Sequence, residues 1–329
     1  MADLNVGVLG ASGMVGQEIL VVLGERSFPV ADLRLAASQR SAGDRLLALG
    51  RRIPVTEPDH AFFRGLDLIF SAVSADVARR LFPLAQAAGA VMIDKSNAFR
   101  MDPAVPLVVP EVNPTALAGH PSLVASPNCS TIPLVMVLDQ LRRLADIERV
   151  DVATYQAVSG TGRDAVAELT AEIAGLQPDP SIYPRPIAFN VLPLVDTLGD
   201  GGHSLEEEKL RLESRKVLAE PELRISSTAV RVPVYRGHSE AITVTLRREV
   251  PLTDLHDALA TAPGLRMVEP PELPTPIDAD GNDLVWVGRL RLDPDDARRV
   301  MLFLVTDNLR KGAATNAVQI AETLWGLGG

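Results

Sequence analysis

Residues 4–20 read LNVGVLGASGMVGQEIL: a short apolar strand, a glycine-rich turn and the start of a helix. After the turn, Val15, Ile19, Val22 and Leu23 recur at helical spacing. Strand, turn and helix in this order predict the opening of a βαβ unit. The turn then lies at the amino end of the helix, where backbone N–H groups can bind a pyrophosphate.

The three glycines of the turn follow the spacing GxxGxxG, a variant of the dinucleotide-binding motif. The alternative is a tight strand-to-helix turn that binds no ligand. Because the turn follows a strand and opens a helix, we expect it to bind a dinucleotide. The candidate contacts are Gly10, Ser12, Gly13, Met14, Val15 and Gly16.

After this unit in the chain, predicted strands and helices alternate. Apolar strands are predicted at Leu33–Ala37, Leu66–Ala72, Val91–Asp94 and Leu107–Val109, with a helix at Asp76–Ala88. Such alternation is typical of an α/β domain with a Rossmann-type, doubly wound parallel sheet.

The pattern changes after residue 129. Polar and apolar residues interleave at Val152–Val158, Thr228–Tyr235, Ile242–Arg248, Leu284–Leu292 and Val300–Val305. Helices are predicted at Ile132–Leu144, Ala165–Leu176, Leu205–Ala219 and Ala313–Leu327. We therefore expect a cofactor-binding domain at 1–128, a second α+β domain with a mainly antiparallel sheet at 129–308, and a return of residues 309–329 to the first domain.

Length and composition fit this organisation. A chain of 329 residues exceeds the usual size of one domain. The net charge of −10 comes without a basic run, so neither nucleic acid nor metal is expected as a partner. The amino terminus fits neither a secretion signal nor a membrane span, and a cytoplasmic protein with no membrane contact is expected.

The end of the second predicted strand indicates which dinucleotide binds. An NAD enzyme often has an acid there, whereas this sequence reads LAASQRSAG. Ser38, Arg40 and Ser41 suit a 2′-phosphate, because a guanidinium pairs with it and hydroxyl groups donate to it. We expect NADP as the cofactor; the alternative for Arg40 is an ordinary solvated arginine.

The single cysteine, Cys129, lies in SPNCSTIPLVMVLDQL, just before a predicted helix. It cannot form an intrachain disulfide. The N–H groups and dipole at a helix amino terminus lower the pKa of a thiol and can stabilise an oxyanion. A lone cysteine is otherwise often a small buried hydrophobe. Its polar neighbours favour a nucleophile.

Six ordered motifs carry a family resemblance. They are GASGMVG, KSNAFRM (95–101), SPNCST, YQAVSGTG (155–162), RVPVYRGHSE (231–240) and DNLRKGAA (307–314). Together they resemble the aspartate-semialdehyde dehydrogenase family over essentially the whole chain. Lys95 departs from the commoner form of its motif.

The resemblance implies roles for the matching residues. Cys129 is the nucleophile, Gln156 orients the reacting group, and His238 is the general acid and base. An unperturbed histidine titrates near neutrality, which suits that task. The alternative for His238 is a polar residue at a turn between strands.

It also implies how substrate and cofactor are held. Arg231 binds the substrate carboxylate, Glu206 the amino group, and Lys209 and Arg100 the phosphate. Ser159, Gly160 and Asn308 lie at the nicotinamide. The spacing of Glu206 and Lys209 alone is equally typical of a surface ion pair, and the choice of Glu206 over Glu207 or Glu208 is an assumption about register.

The activity implied is reductive dephosphorylation of L-aspartyl 4-phosphate by NADPH through a cysteine thioester, in biosynthesis of lysine, threonine, methionine and diaminopimelate. A homodimer through the second domain, which can assemble further, is implied as well. The alternatives are an N-acetyl-γ-glutamyl-phosphate reductase, whose substrate amine is blocked, and a catalytically silent nucleotide-binding relative.

Overall fold

The computed structural model describes residues 3–327 and divides the chain into two compact units. The first unit extends to Asn128 and resumes at Ala313, whereas the second runs from Cys129 to Gly312. The chain therefore returns to the first unit four residues later than position 309. Both units have a central sheet.

The first unit contains a seven-stranded sheet in the order β3-β4-β2-β1-β5-β6-β7. All neighbouring strands are parallel except the antiparallel pair β3 and β4. The strands are β1 (Leu4–Leu9), β2 (Val30–Ala36), β3 (Arg45–Ala48), β4 (Arg51–Thr56), β5 (Leu68–Ser71), β6 (Val91–Asp94) and β7 (Leu123–Ala125). The helices here are α1 (Met14–Glu25), α2 (His60–Phe63) and α3 (Ala75–Ala87). The predicted doubly wound parallel sheet is confirmed.

One predicted strand is wrong. At 107–109 the structure has only an isolated bridge from Leu107 to Ala125. The place beside β6 is instead taken by β7, a strand of three residues that is too short to show periodicity.

The second unit contains a six-stranded sheet in the order β11-β12-β13-β10-β8-β9. The three inner pairs are antiparallel and the two outer pairs are parallel, so the sheet is mainly antiparallel as predicted. The strands are β8 (Ile147–Gln156), β9 (Arg224–Arg231), β10 (His238–Leu246), β11 (Leu265–Val268), β12 (Val285–Leu292) and β13 (Arg299–Thr306). The helices are α4 (Thr131–Leu144), α5 (Arg163–Ile173), α6 (Leu205–Leu218), α7 (Leu252–Ala260) and α8 (Pro276–Ala279).

Strand β9 ends four residues before the predicted limit of 235. Its last residue, Arg231, is followed by the sequence Val-Pro-Val, and Pro233 cannot donate to a sheet ladder. The break turns the chain towards the start of β10 at His238. It thus places two predicted site residues at the ends of β9 and β10, the two strands that flank β8.

Helix α4 is apolar on nearly all sides. Its residues from Thr131 to Asp139 are all buried, as expected of a helix enclosed by other elements. It packs on α6, α7 and β13. The residue before its cap is therefore held by a rigid element.

The last helix, α9 (Thr315–Trp325), belongs to the first unit. Its residues Ala317, Ile320, Ala321 and Leu324 are buried in the same core cluster as strands β1, β2 and β5. Arg26 at the end of α1 forms a two-pronged ion pair with Glu322, with N–O distances of 2.7 and 2.6 Å. The helix is thus part of the first unit's core.

Short helices complete the described chain. Turns of 3₁₀ helix lie at Gln39–Ser41, Pro114–Leu117, Val158–Gly160 and Asp200–Gly202, and a π-helical turn lies at Arg310–Ala314. Between residues 3 and 327, no helix has the length and apolar character needed to cross a bilayer.

Candidate active site

The glycine turn between β1 and α1 has little free space. Gly10 has φ +76°, and a Cβ there would lie 2.3 Å from the Ala72 carbonyl oxygen. A Cβ on Gly16 would lie 2.2 Å from the Gly10 carbonyl oxygen. Gly13 caps α1 without any side-chain hydrogen bond. The N-cap residue thus offers no side chain to the first amides of α1, which suits binding of an anion.

A cavity of about 460 Å³ adjoins this turn in the first unit. Gly10, Ser12 and Gly13 of the predicted set line it, whereas Met14, Val15 and Gly16 do not. Its other walls are the ends of three strands and one face of α3. The size and position suit the adenosine end of a dinucleotide.

The structure places only one of the three residues predicted to bind the 2′-phosphate in the wall of this cavity. Ser38 lines the cavity and so does the adjacent Gln39, but Arg40 and Ser41 do not. The reason is local: Ser38 caps a 3₁₀ turn, and Arg40 within that turn is exposed. An arginine that the sequence did not single out, Arg80 on α3, lines the cavity instead.

Cys129 lies directly before Ser130, the N-cap residue of α4. Its side chain is half-buried, so it is neither sealed in the core nor fully exposed. A Cβ on Gly312 would lie 3.1 Å from the Cys129 Cβ. The thiol therefore has the helix terminus on one side and the backbone at Gly312 on the other, and the positive end of the helix dipole favours a thiolate there.

Residues 307–312 are referred to together as the 307–312 segment. Its first residue, Asp307, is fully buried and accepts backbone N–H groups from Leu309 at 2.9 Å and Gly281 at 2.8 Å. Gly312 also donates to the Asp307 carbonyl at 3.0 Å. The segment is thus a closed turn that ends against Cys129.

Asn308 in the same segment organises the predicted nicotinamide residues. Its Oδ1 accepts hydrogen bonds from the Gly237 amide at 2.9 Å and from the Ser159 hydroxyl at 3.1 Å. Ser159 and Gly160 form the 3₁₀ turn after β8. The structure therefore brings Ser159, Gly160 and Asn308 together, and one segment contacts both this turn and Cys129.

His238 at the start of β10 is fully buried. Its Nδ1 accepts the Ala157 backbone N–H at 3.0 Å, so the neutral ring carries its proton on Nε2. Nε2 has no hydrogen-bond partner within residues 3–327. A Cβ on Gly160 would lie 3.1 Å from it, so the glycine leaves room beside this donor.

The histidine does not titrate near neutrality, contrary to the sequence-based expectation. Burial, and then the positive charge of Arg231, hold the pKa of His238 well below its usual range, although the Gly237 carbonyl opposes this. The ring is therefore a neutral hydrogen-bond donor at physiological pH.

Arg231 ends β9 opposite Gln156, the last residue of β8. Its guanidinium is buried, and Nη1 donates to the Ala157 carbonyl at 2.6 Å. Nε has no hydrogen-bond partner in the described chain. A buried donor of this kind is what a bound carboxylate would satisfy.

A chain of polar contacts links Gln156 to α6. The Thr154 hydroxyl donates to Gln156 Oε1 at 3.0 Å, and Gln156 Nε2 donates to Glu206 Oε1 at 3.0 Å. Lys209 donates to Glu206 Oε2 at 3.1 Å and to Asp196 at 2.6 Å. Although burial opposes it, these two carboxylates raise the pKa of Lys209.

The three adjacent glutamates of α6 have different environments. Glu206 is buried against Gln156. Glu207 forms the capping box with Ser204, and Glu208 pairs with Arg211. Only the first of the three faces the polar cluster, which agrees with the assumed register.

Arg100 lies in the first unit, after β6. It is buried, and its Nη2 donates to the Lys95 carbonyl at 2.7 Å. Lys95, the departure from the family motif, donates its ammonium to Ser126 at 3.1 Å. These hydrogen bonds hold the Arg100 guanidinium against other residues of the first unit.

Sequence reasoning missed Glu240, two residues after His238 on β10. Both residues lie on one sheet face, and the cross-strand partner of Glu240 is Thr154. Neither carboxyl oxygen has a hydrogen-bond partner within the described chain. Burial, and then the charge of Glu206, raise the pKa of Glu240 well above its usual range, which favours its neutral form. The only signal for Glu240 in the sequence was its place in the motif His-Ser-Glu, two residues after His238.

The second unit thus offers a thiol at a helix terminus, a neutral imidazole donor, a buried guanidinium and a buried carboxylate. Such groups suit nucleophilic attack on a carbonyl of an amino acid. In residues 3–327 no group of three or more His, Cys, Asp or Glu side chains is arranged to hold a metal ion.

Two family models match the chain. The semialdehyde dehydrogenase NAD-binding domain matches residues 5–120, and the semialdehyde dehydrogenase dimerisation domain matches residues 138–311. An aspartate-semialdehyde dehydrogenase from Synechocystis is 42% identical over 330 residues, covering 98% of each chain. The chain belongs to the aspartate-semialdehyde dehydrogenase family. The predicted family is confirmed.

Other members of the aspartate-semialdehyde dehydrogenase family agree. The Bacillus subtilis relative is 40% identical and covers 98% of this chain and 97% of its own. Aspartate semialdehyde dehydrogenase II from Vibrio cholerae, solved in complex with ASA, superposes with a TM-score of 0.94 at 38% identity, covering 99% of each chain. The Candida albicans structure with NADP has a TM-score of 0.77 at 26% identity, covering 98% of this chain and 99% of its own. A nicotinamide dinucleotide is therefore the cofactor class of the first unit.

Proposed function

We propose that the chain catalyses reductive dephosphorylation of L-aspartyl 4-phosphate to L-aspartate 4-semialdehyde with NADPH. The product would supply biosynthesis of lysine, threonine, methionine and diaminopimelate. The observation that carries the proposal is the half-buried Cys129 thiol before α4, against the 307–312 segment that also orders the Ser159 turn. The names of the relatives agree with this reaction.

The first step is attack by the Cys129 thiolate on the acyl carbonyl. A carbon–sulfur bond forms, the carbon–oxygen bond to phosphate breaks, and inorganic phosphate leaves with the electron pair and takes up one proton from solvent. The helix terminus that favours the thiolate also offers N–H groups to the transient oxyanion. Cys129 is left as a thioester.

When bound, NADPH would supply the hydride that reduces the thioester carbonyl. The resulting thiohemiacetal on Cys129 collapses as the carbon–sulfur bond breaks, which releases the aldehyde and regenerates the thiolate. The hydride transfer and the collapse consume no net proton, because the one proton that the overall reaction takes up goes to the leaving phosphate. His238 therefore needs only its Nε2–H, donated to the oxygen while it carries negative charge, and this role fits its fixed tautomer.

Substrate recognition follows from charge. Arg231 would bind the carboxylate, because its buried Nε–H is available and a guanidinium binds a carboxylate through paired hydrogen bonds. Glu206 would bind the ammonium group, with Gln156 holding one of its oxygens. Lys209 and Arg100 would bind the phosphate. Each end of the substrate then meets the opposite charge.

For the cofactor, the glycine turn and its cavity would hold the pyrophosphate and adenosine, and Ser38 would donate to the 2′-phosphate. Gly160 and the Ser159–Asn308 pair would border the nicotinamide. The Candida relative is solved with NADP, which supports this choice of dinucleotide.

We also propose that the second unit forms a homodimer. The family model over residues 138–311 is that of a dimerisation domain. Large apolar side chains are exposed within one stretch of this unit: Phe189 (89% exposed), Val191, Leu194 and Leu198. Sedimentation at micromolar concentration should give twice the chain mass, and a monomer would contradict the proposal.

The test of function is the reverse reaction. Semialdehyde, phosphate and NADP are mixed with the enzyme, and reduced nicotinamide is followed by absorbance. N-acetylglutamate semialdehyde is assayed in parallel, because a site with a buried Glu206 should reject a blocked amine. Turnover of only the acetylated compound would replace the proposal with the reductase alternative, and turnover of neither would favour a silent relative.

A further inference from the structure

Three hydrogen-bonded side chains of the second unit share one direction of donation. Glu206 is buried, and its carboxylate accepts from Gln156 Nε2 at 3.0 Å and from the Lys209 ammonium at 3.1 Å. A carboxylate can only accept hydrogen bonds. The Gln156 amide must therefore turn its NH2 group towards α6 and its oxygen the other way.

Thr154 continues the same direction. Its hydroxyl donates to Gln156 Oε1 at 3.0 Å, which uses the only hydrogen of that group. The hydroxyl oxygen can still accept, but no group within residues 3–327 donates to it. The series that runs from Thr154 through Gln156 to Glu206 thus lacks a first donor.

Glu240 lies where such a donor is needed. It is opposite Thr154 in the antiparallel pair of β10 and β8, so the two side chains share a sheet face with Cβ atoms about 5 Å apart. Rotation about its own side-chain bonds lets a glutamate reach across this separation. Glu240 is fully buried, and neither carboxyl oxygen has a hydrogen-bond partner in the described part of the chain.

The surroundings of Glu240 also favour the form that can donate. Burial and the nearby charge of Glu206 raise the pKa of Glu240, so the protonated carboxyl group is favoured. That form has one O–H donor, whereas an ionised carboxylate has none. A carboxylate here would draw the Thr154 hydrogen away from Gln156.

We propose that Glu240 is a positioning residue for the ammonium group of the substrate: its carboxyl O–H donates to Thr154, which fixes the Gln156 amide and, through it, Glu206. This inference rests on the proposed function, in which Glu206 binds that ammonium group. Glu240 acts through Thr154 and needs no contact with the substrate. Glutamine is its conservative replacement because an NH2 group also donates, whereas methionine has a similar length and no donor.

Steady-state kinetics of the reverse reaction test this role. In Glu240→Met and in Thr154→Val, KM for aspartate semialdehyde should rise roughly three- to tenfold, as expected for one neutral hydrogen bond, while kcat changes less than about twofold. Glu240→Gln should recover most of the loss. In the double variant the two increases should not multiply, because both changes break the same series of hydrogen bonds. Thr228→Val, at an exposed position of β9, is the matched control.

A compound without an amino group separates positioning from general damage to the site. Succinate semialdehyde differs from the substrate only in that group. As a competitive inhibitor it should bind Glu240→Met and the unchanged enzyme equally well. Equal weakening of both compounds would overturn the inference. So would an unchanged KM in Glu240→Met, or a Glu240→Gln variant as impaired as Glu240→Met. Should Glu240→Met not fold, Thr154→Val with Glu240→Gln provides the same comparison.

Infrared spectroscopy tests the hydrogen bond without turnover. The difference between the unchanged protein and Glu240→Gln at neutral pH should isolate the C=O stretch of one protonated carboxyl group. Thr154→Val should move this band to higher frequency, because the hydrogen bond is lost, whereas Thr154→Ser should leave it in place. A missing band, or one that Thr154→Val does not move, would contradict the inference whatever the substrate. Failure of the proposed function would appear separately, as no turnover of aspartate semialdehyde by the unchanged enzyme.

Discussion

At the scale of single residues, Cys129 gives the simplest test because it is the one cysteine of the sequence. Replacing it with alanine should abolish turnover while NADP affinity, measured by calorimetry, stays within about twofold, since the cofactor cavity lies in the first unit. A thiol reagent should inactivate the unchanged enzyme at a stoichiometry of one per chain. Retained activity in the Cys129→Ala variant would show that Cys129 is not the nucleophile.

His238 allows a spectroscopic prediction. Because the Ala157 amide can only donate, the ring should stay neutral with its proton on Nε2 between pH 6 and 8. Nitrogen-15 NMR of protein labelled at its five histidines, with His238→Gln to assign the signal, measures this directly. A protonated Nδ1 at pH 7 would show that the ring titrates as an ordinary acid and base.

Glu240 predicts a dependence of stability on pH. Its pKa is raised in the folded protein, so its contribution is fully present below the unfolded pKa of about 4.3 and is lost as pH rises towards the folded pKa. In Glu240→Gln, this loss of stability with rising pH should be absent. Its melting temperature relative to the unchanged protein should therefore increase from pH 5 to pH 8, as measured by calorimetry.

The control for that experiment is Glu272→Gln, at an exposed glutamate. Its difference from the unchanged protein should stay constant with pH. If Glu240→Gln behaves like the control, Glu240 is ionised in the folded protein, and an undetected partner must hold its charge.

At the scale of elements, the 307–312 segment packs its backbone closely against Cys129, the proposed nucleophile. In Gly312→Ala the added Cβ would lie 3.1 Å from the Cys129 Cβ and 3.3 Å from two carbonyl oxygens. Displacing the sulfur by even a fraction of an ångström should lower kcat about tenfold or more. Gly24→Ala, where the nearest atom is 3.6 Å away, should leave kcat unchanged. Equal kcat in both variants would contradict this role of the segment.

The elements that the sequence predicted well are long or strongly patterned. Helix α4 and the β1–α1 unit have sustained apolar spacing and clear start signals. The hairpin of β3 and β4 was missed because arginines and a proline interrupt its apolar residues, and β3 is the edge strand of the sheet. Strand β11, with four residues, is too short for its period to be visible.

At the scale of the whole molecule, residues far apart in sequence meet where no local pattern could place them. The motif resemblance predicted Gln156 and Glu206 as site residues, but their 3.0 Å contact spans fifty positions. Motif order likewise gave no reason to expect that Arg80 lines the cavity beside the glycine turn and that Arg40 does not, because the residues in a cavity wall come from separate elements of the fold. The neutral state of His238 depends on burial, which the sequence does not display.

The first unit is assembled from two separate stretches of chain, and α9 contributes a buried face to its core. On the ribosome, the strands of this unit emerge before the second unit, yet the helix that completes their packing is made after it. All of the second unit is synthesised between these two parts, and it can fold before the first unit is complete. A nascent chain arrested before residue 313 should therefore present a folded inserted unit and a nucleotide-binding half that still exposes part of its apolar interior to chaperones.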